Sequence, residues 1–318
     1  MNDDIRKPNP RRASRRGFLR ALAGTGLLTA FGASMPSAAS DEAETAYKVI
    51  PSSGEKLPVI GLGTSRVFEV GASTEARAGP REVMQALARV RNAVVDTSPM
   101  YGSAEDVVGD LGHALAVREQ LFYATKVWTS GREAGIAQMR RSMERLRSDK
   151  IDLMQIHNLL DWRTHLATLR DWKAEGRIRY LGVTHYHEGA HDELASVLRE
   201  FPFDFVQINY SLAEPESERT LLPLALDRGI AVLVNRPFAR GELFGKFRQQ
   251  PLPPWAEEID CKTWGQFFLK FVISHPAVTC AIPGTSKARH MIDNLGAGRG
   301  RMPDERMRAR MREYWRTA

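Results

Sequence analysis

The sequence predicts an α/β fold, a (β/α)8 TIM barrel whose eight parallel strands close on themselves behind a short N-terminal hairpin. Three observations predict it. Short apolar runs recur eight times between residues 59 and 284. Most place Val, Ile and Leu on consecutive positions, the mark of strands buried on both faces and so of a parallel sheet. The stretches between them are longer and amphipathic at helical spacing, with no linker to divide them into domains.

Taken in order, the chain opens with a segment that precedes the fold. Residues 1–40 have a basic start, an apolar middle from Ala21 to about Met35, and small residues at Ser37 and Ala39. That is the layout of a cleavable export signal, and the apolar middle is shorter than the ~18 residues a membrane span needs. Ser14-Arg15-Arg16-Gly17-Phe18-Leu19 resembles a twin-arginine signal, whose passengers cross the bacterial inner membrane already folded. The expected organisation is a signal over 1–40 and one barrel domain over 41–318, periplasmic after cleavage and membrane-anchored without it.

The hairpin is "AYKVIPSSGEKLP", with Ser53-Gly54 as its turn, placed to plug one end of a barrel. The strand runs follow at 59–64, 93–98, 121–127, 151–157, 179–185, 203–210, 230–235 and 278–284. Between them, Ile136, Met139, Met143 and Leu146 share one helical face, and "HLATLRDWKAEG" ends at Gly176, a helix terminator. Trp162 and Trp172 read as helix packing, residues 236–264 as a proline-rich irregular loop, and the arginine-rich tail as a solvated helix face. The rival architecture, an open doubly wound sheet, calls for a glycine-rich turn after its first strand. "GLGTSRV" has two glycines and no third.

Charge and cysteine content exclude several function classes. Residues 1–40 hold seven Arg and Lys against Asp3 and Asp4, so five of the formal seven positive charges leave with the signal. A mature chain so near neutrality has no electrostatic footprint for nucleic acid. Cys261 and Cys280 lack metal-ligand spacing and are too few for a disulfide scaffold, although a bridge between them stays open. His185 and His187 have no carboxylate cluster beside them, so no metal is expected.

Polar residues fall at the ends of the apolar runs. Asp96 closes the second, Lys126 lies near the end of the third, and His157 closes the fourth. In a barrel these ends share the C-terminal face, where chemistry is carried. Alone, Asp96 would read as a helix cap, His157 as a core histidine and Lys126 as a snorkelling surface cation. Together Asp96 and Lys126 can pair, with the ammonium close to Tyr101 on the loop above. An ammonium favours phenolate and lowers the tyrosine pKa from its usual value of about 10. His157 is placed to orient a carbonyl oxygen toward the Tyr101 hydroxyl. Such a set suits protonation of a ketone or aldehyde oxygen while hydride reaches its carbon.

These residues sit in "GLGTS" (61–65), "VVDTSPMYGSAEDVVG" (94–109), "TKVW" (125–128), "IDLMQIHN" (151–158), "GRIRYLGVTH" (176–185), "VQINYS" (206–211) and "IPGTSKARHMIDNL" (282–295). In that order, they resemble the aldo/keto reductase family. The resemblance implies that Asp96, Tyr101, Lys126 and His157 are the family's catalytic tetrad. It implies NADP(H), less often NAD(H), bound extended across the barrel mouth, with no metal. The implied cofactor contacts are Gly63 and Thr64, then Thr184, His185 and Gln207 for the carboxamide. Asn235 stands where a stacking aromatic is usual, with Arg236 and Phe238 beside the pyrophosphate. Gly284, Thr285, Ser286, His290 and Asn294 fall at the adenine and 2′-phosphate site, where Lys287 or Arg289 supplies positive charge. His185 and Asn235 depart from the family pattern. Phe68, Trp128 and Asn158 are the expected substrate-pocket residues, with simple packing the equal alternative for Phe68 and Trp128, and loops 65–80, 128–135 and 236–264 are expected to build most of the pocket.

The function expected is reversible hydride transfer between NADP(H) or NAD(H) and a small carbonyl or alcohol substrate. The alternatives are a non-catalytic dinucleotide sensor or partner subunit, and a barrel lyase or isomerase. Soluble NADPH belongs to the cytoplasm, so an exported enzyme is expected to carry its nicotinamide out through the twin-arginine translocation machinery as a tightly held group. No stable membrane span is expected after cleavage.

Overall fold

Two three-residue strands, β1 (Tyr47–Val49) and β2 (Lys56–Pro58), pair antiparallel, Lys48 opposite Leu57. Their turn contains Gly54 at φ 78°, a backbone region that glycine enters without a side-chain clash. The computed structural model describes residues 44–317; the expected export segment, residues 1–40, lies outside them.

After the hairpin the chain alternates strand and helix. β3 (Leu62–Gly63), α1 (Thr74–Leu87), β4 (Ala93–Asp96), α2 (Ala104–Ala114), β5 (Leu121–Val127), α3 (Arg132–Arg145) and β6 (Ile151–His157) form the first half. α4 (Trp162–Ala174), β7 (Ile178–His185), α5 (His191–Glu200), β8 (Phe205–Asn209), α6 (Leu221–Asp227) and β9 (Ala231–Asn235) continue it. α7 (Glu242–Phe247), α8 (Trp264–Ile273), β10 (Val278–Ala281), α9 (Ala288–Gly296) and α10 (Glu305–Thr317) complete it. β3 to β10 are parallel, each beside the next in sequence, and the bridges Ile60–Ala281 and Gly63–Gly284 join the last to the first. This is the expected (β/α)8 barrel, and the closure excludes the open sheet.

The first strand is shorter than its apolar run because closure is tight there. A Cβ on Gly63 would lie 2.7 Å from the Ile282 carbonyl, and one on Gly61 2.7 Å from that of Val94. Glycine is required at both places for the backbones to meet.

Alternation along each strand divides the core in two. Outward-facing side chains such as Val95, Met154 and Val183 pack beneath the helices. Inward-facing Val94, Phe122, Leu153, Tyr180, Phe205, Leu233 and Cys280 fill the lower barrel together with Ile50 and Leu57 of the hairpin. The hairpin is therefore the expected plug. Polar groups fix it: the Lys48 ammonium donates to the carbonyls of Ile273, His275 and Val278 at 2.8, 2.7 and 2.6 Å. Glu55 pairs with Arg179, which also reaches Asp152 at 2.9 Å.

Two expectations are corrected. Residues 236–264 are not irregular: they hold α7 between two short 3-10 helices, 239–241 and 254–259. Phe247 of α7 stacks on Trp264 at 4.2 Å and meets Tyr314 and Trp315 of α10 at 5.9 and 5.8 Å. The tail is not merely a solvated face, since Arg308 is 2% exposed and bonds the Tyr210 hydroxyl at 2.6 Å and Glu218 at 2.7 Å. Cys261 and Cys280 are both free and buried, so no bridge joins them. Trp162 and Trp172 are buried as expected.

Removing the enclosed Arg308 takes the donor from the Phe271 carbonyl, while Glu218 keeps the Tyr210 hydroxyl and Arg312. Arg308→Ala is expected to cost about 1–3 kcal/mol in urea unfolding. Arg310→Ala, which breaks a half-exposed pair with Glu258, is expected to cost under about 1 kcal/mol.

Candidate active site

Above the apolar plug the inward positions turn polar. The parity that buries Val94, Phe122, Leu153 and Phe205 places Asp96, Lys126, Gln155, His157 and Gln207 inside the barrel at the C-terminal ends of the strands. All five are buried. Asp96 is the centre: Lys126 Nζ donates to its two oxygens at 2.9 and 2.8 Å, and Gln155 and Gln207 donate to Oδ1 at 3.1 and 2.8 Å. Lys126 makes a third bond, 2.7 Å, to the Thr97 carbonyl. A buried ammonium is retained only when so surrounded, and its carboxylate and phenol neighbours hold the Lys126 pKa above the ordinary value against desolvation.

Tyr101 lies on the turn between β4 and α2. Lys126 Nζ sits 5.2 Å from its ring centroid, close enough for the ammonium to act on the phenol. The following Gly102 has φ 53°, and any side chain there would collide with Glu69. The pairing of tyrosine with lysine is as expected, but the direction of the tyrosine shift is not. Burial pushes the phenol above its usual pKa, and the nearby ammonium offsets only part of that. In the free barrel Tyr101 is thus firmly protonated near neutrality.

The His157 ring meets Tyr101 edge-on at 6.1 Å and Trp128 at 6.3 Å. Burial, then the Lys126 and His185 charges, lowers its pKa to about 2, so the imidazole is neutral. Trp128 is 40% exposed and lines the mouth, its backbone pinned by Gln138 of α3. Asn158 adopts φ 53° and keeps Oδ1 unpartnered. Phe68 is corrected: its ring is 0% exposed within the outer core, so it packs and cannot face a substrate.

The expected cofactor residues serve two purposes. Gly63 takes part in closing the barrel, and the Thr64 hydroxyl ties the end of β3 to β4 by donating to the Asp96 carbonyl at 3.0 Å. Thr184 is buried between His157 and Gln207 in register. His185 stacks on Tyr186 at 5.8 Å and accepts from the His187 amide at 3.2 Å. No group of three or more metal-ligating side chains occurs among the described residues.

These surroundings fit a phosphate-bearing carboxamide ligand. The amide oxygens of Gln155, Asn209 and Asn235 are buried without donors, and Asn209 and Asn235 face each other across β8 and β9. Arg236 lies over the Tyr186 ring at 4.4 Å with Glu214 3.7 Å away. Burial, then the Arg240 and Arg66 charges, lowers its pKa against the opposing pull of Glu214. Phe238 packs on Phe244 at 4.9 Å beside it. On the far side Lys287, Arg289 and His290 are exposed with Gly284 and Ser286 near the start of α9, and Thr285 and Asn294 are buried. Helix N-termini favour phosphate.

The model of the aldo/keto reductase family matches residues 59–314. The chain belongs to that family. Aldo/keto reductases are NAD(P)-dependent oxidoreductases of carbonyl groups, and that is the class of this enzyme. It is 28% identical to aldo-keto reductase YhdN of Bacillus subtilis, over 64% of this chain and 65% of that one. It is also 28% identical to methylglyoxal reductase YeaE of Escherichia coli, over 78% of this chain and 88% of the relative. Among solved structures it is similar to an aldo-keto reductase of Klebsiella pneumoniae in complex with NADPH. The TM-score is 0.70 at 25% identity, covering 86% of this chain and 95% of that one.

Gln155 was not anticipated from the sequence. Its signal was its parity, two residues from His157 on the same inward face of "IDLMQIH".

The neutral His157 makes the fold acid-sensitive. His157 and His275, whose pKa burial lowers to about 4, refuse protons that the unfolded chain accepts. Their contribution is intact above the unfolded value of about 6.5 and is lost as pH falls, by up to about 1.4 kcal/mol per unit for each. Urea titrations from about pH 7 to 5 should show this loss, reduced in His157→Asn.

Proposed function

We propose that this aldo/keto reductase reduces small aldehydes and ketones with NADPH, using Tyr101 as the proton donor. The observation that carries the reading is the buried Asp96–Lys126 pair against Tyr101, with His157 at the mouth beside it. NADPH, when bound, supplies the hydride. The Tyr101 hydroxyl gives its proton to the carbonyl oxygen, and the Lys126 ammonium stabilises the phenolate left behind. Asp96 keeps Lys126 charged and in position. His157 orients the carbonyl oxygen. Gln155, Asn209 and Asn235 would offer acceptors to the carboxamide, Arg236 with Arg66 and Arg240 near it would hold the pyrophosphate, and Lys287 and Arg289 would meet the 2′-phosphate. The solved neighbour with NADPH supports this cofactor over NADH. The methylglyoxal-reducing relative supports a short carbonyl substrate, for which Trp128, Asn158 and the exposed Met100 provide walls.

The raised Tyr101 pKa suits reduction, which needs the protonated phenol, more than alcohol oxidation, which needs phenolate. Reduction is expected to be flat in rate from about pH 6 to 9, with oxidation rising toward alkaline pH. Tyr101→Phe should lower carbonyl reduction at least about 100-fold while NADPH still quenches tryptophan fluorescence. A Phe variant that still reduces carbonyls overturns the reading, as a dinucleotide sensor would be indifferent to the change. Joint replacement of Lys287 and Arg289 by Ala should raise KM for NADPH about tenfold and leave NADH unaffected.

Export of the folded enzyme through the twin-arginine machinery to the periplasm, with the dinucleotide already bound, completes the proposal. It rests on "SRRGFLR" and the apolar stretch after it. A reporter fused behind residues 1–40 should reach the periplasm and fail to do so when Arg15 and Arg16 are both Lys.

A further inference from the structure

Ser98 is 0% exposed, two residues past Asp96 on the turn that carries Tyr101, and it has no place in the chemistry described so far. Its Oγ lies 3.2 Å from His157 Nδ1 and accepts from the Met100 amide at 3.4 Å. A hydroxyl has one proton to give and lone pairs to receive. The Met100 amide occupies a lone pair, so the proton of Ser98 needs an acceptor, and His157 Nδ1 is the one its hydrogen bonds provide.

A neutral imidazole carries its proton on one nitrogen, and the partner of the other decides which. Were Nδ1 protonated, it would donate to Oγ and leave the Ser98 proton unpaired where water does not reach, while Nε2 would present a lone pair to the mouth. A lone pair repels a carbonyl oxygen. With Ser98 donating instead, Nδ1 is the acceptor and Nε2–H becomes the donor.

We propose that Ser98 is a positioning residue that fixes His157 as its Nε2–H tautomer, so that the ring donates a hydrogen bond to the substrate carbonyl. The proposal rests on the reductase reading for its purpose but not for its observation. Asp96 and Ser98 thereby divide the labour of one turn: the first holds the lysine beside the acid, the second sets the tautomer of the group that receives the substrate.

The test is nitrogen NMR of the full chain labelled with 15N-histidine, with His157 assigned by the signal lost in His157→Gln. The wild-type ring should be protonated at Nε2 near neutral pH. Ser98→Ala should shift it toward a tautomer mixture, and Ser98→Thr, which keeps the hydroxyl, should restore it. In turnover, Ser98→Ala should lower kcat about tenfold with KM for NADPH unchanged, and Thr should recover most of the rate. A wild-type ring protonated at Nδ1, or a tautomer unmoved in Ser98→Ala, overturns the proposal. Because the spectrum needs no substrate, it remains decisive if Tyr101→Phe shows the reductase reading itself to be wrong.

Discussion

One carboxylate organises the upper barrel. Asp96 accepts from the Lys126 ammonium and from the amides of Gln155 and Gln207, and its own carbonyl accepts from Thr64. Without it Lys126 would be a buried charge with no counter-ion, and the Gln155 and Gln207 amides would lose their acceptor. Three strands besides its own are thus tied to a single residue at the end of β4. The constraint is electrostatic first: the pair must exist for the barrel to tolerate a lysine there, and the proton transfer proposed for the phenol beside it would draw on that charge.

Burial shapes the rest of the site as strongly as charge does. Tyr101 is drawn down by Lys126 and pushed up by desolvation, and desolvation prevails. His157 is held neutral by the same low-dielectric surroundings. Both groups are therefore neutral near pH 7, and the charges of the site are those of the Lys126–Asp96 pair. That separation lets an acid and a cation share a few ångströms without exchanging roles.

What was legible in the sequence followed from periodicity. The runs 121–127 and 151–157 correspond residue for residue to β5 and β6, because a strand buried on both faces writes its limits in apolar residues. The gathering of Asp96, Lys126 and His157 was legible because they lie at or near the ends of such runs. What escaped depended on distance through space. The fit of α7 against α10 rests on Phe247 meeting Tyr314, partners that no local pattern connects, so 236–264 read as an open loop. Phe68 read as a pocket wall because an aromatic in a loop looks exposed until packing encloses it. The sign of the Tyr101 shift was missed for a related reason: a sequence displays charges, whereas burial belongs to the assembled barrel.

The hairpin beneath the barrel has a kinetic consequence. With Ile50 and Leu57 filling the lower end and Lys48 and Glu55 fastening them, a ligand of Lys126 or His157 would come from the opposite, C-terminal face. Two molecules entering from that one face would do so in sequence. The deeper-seated of them would arrive first and depart last, so the closed floor would impose an order of traffic on the ceiling.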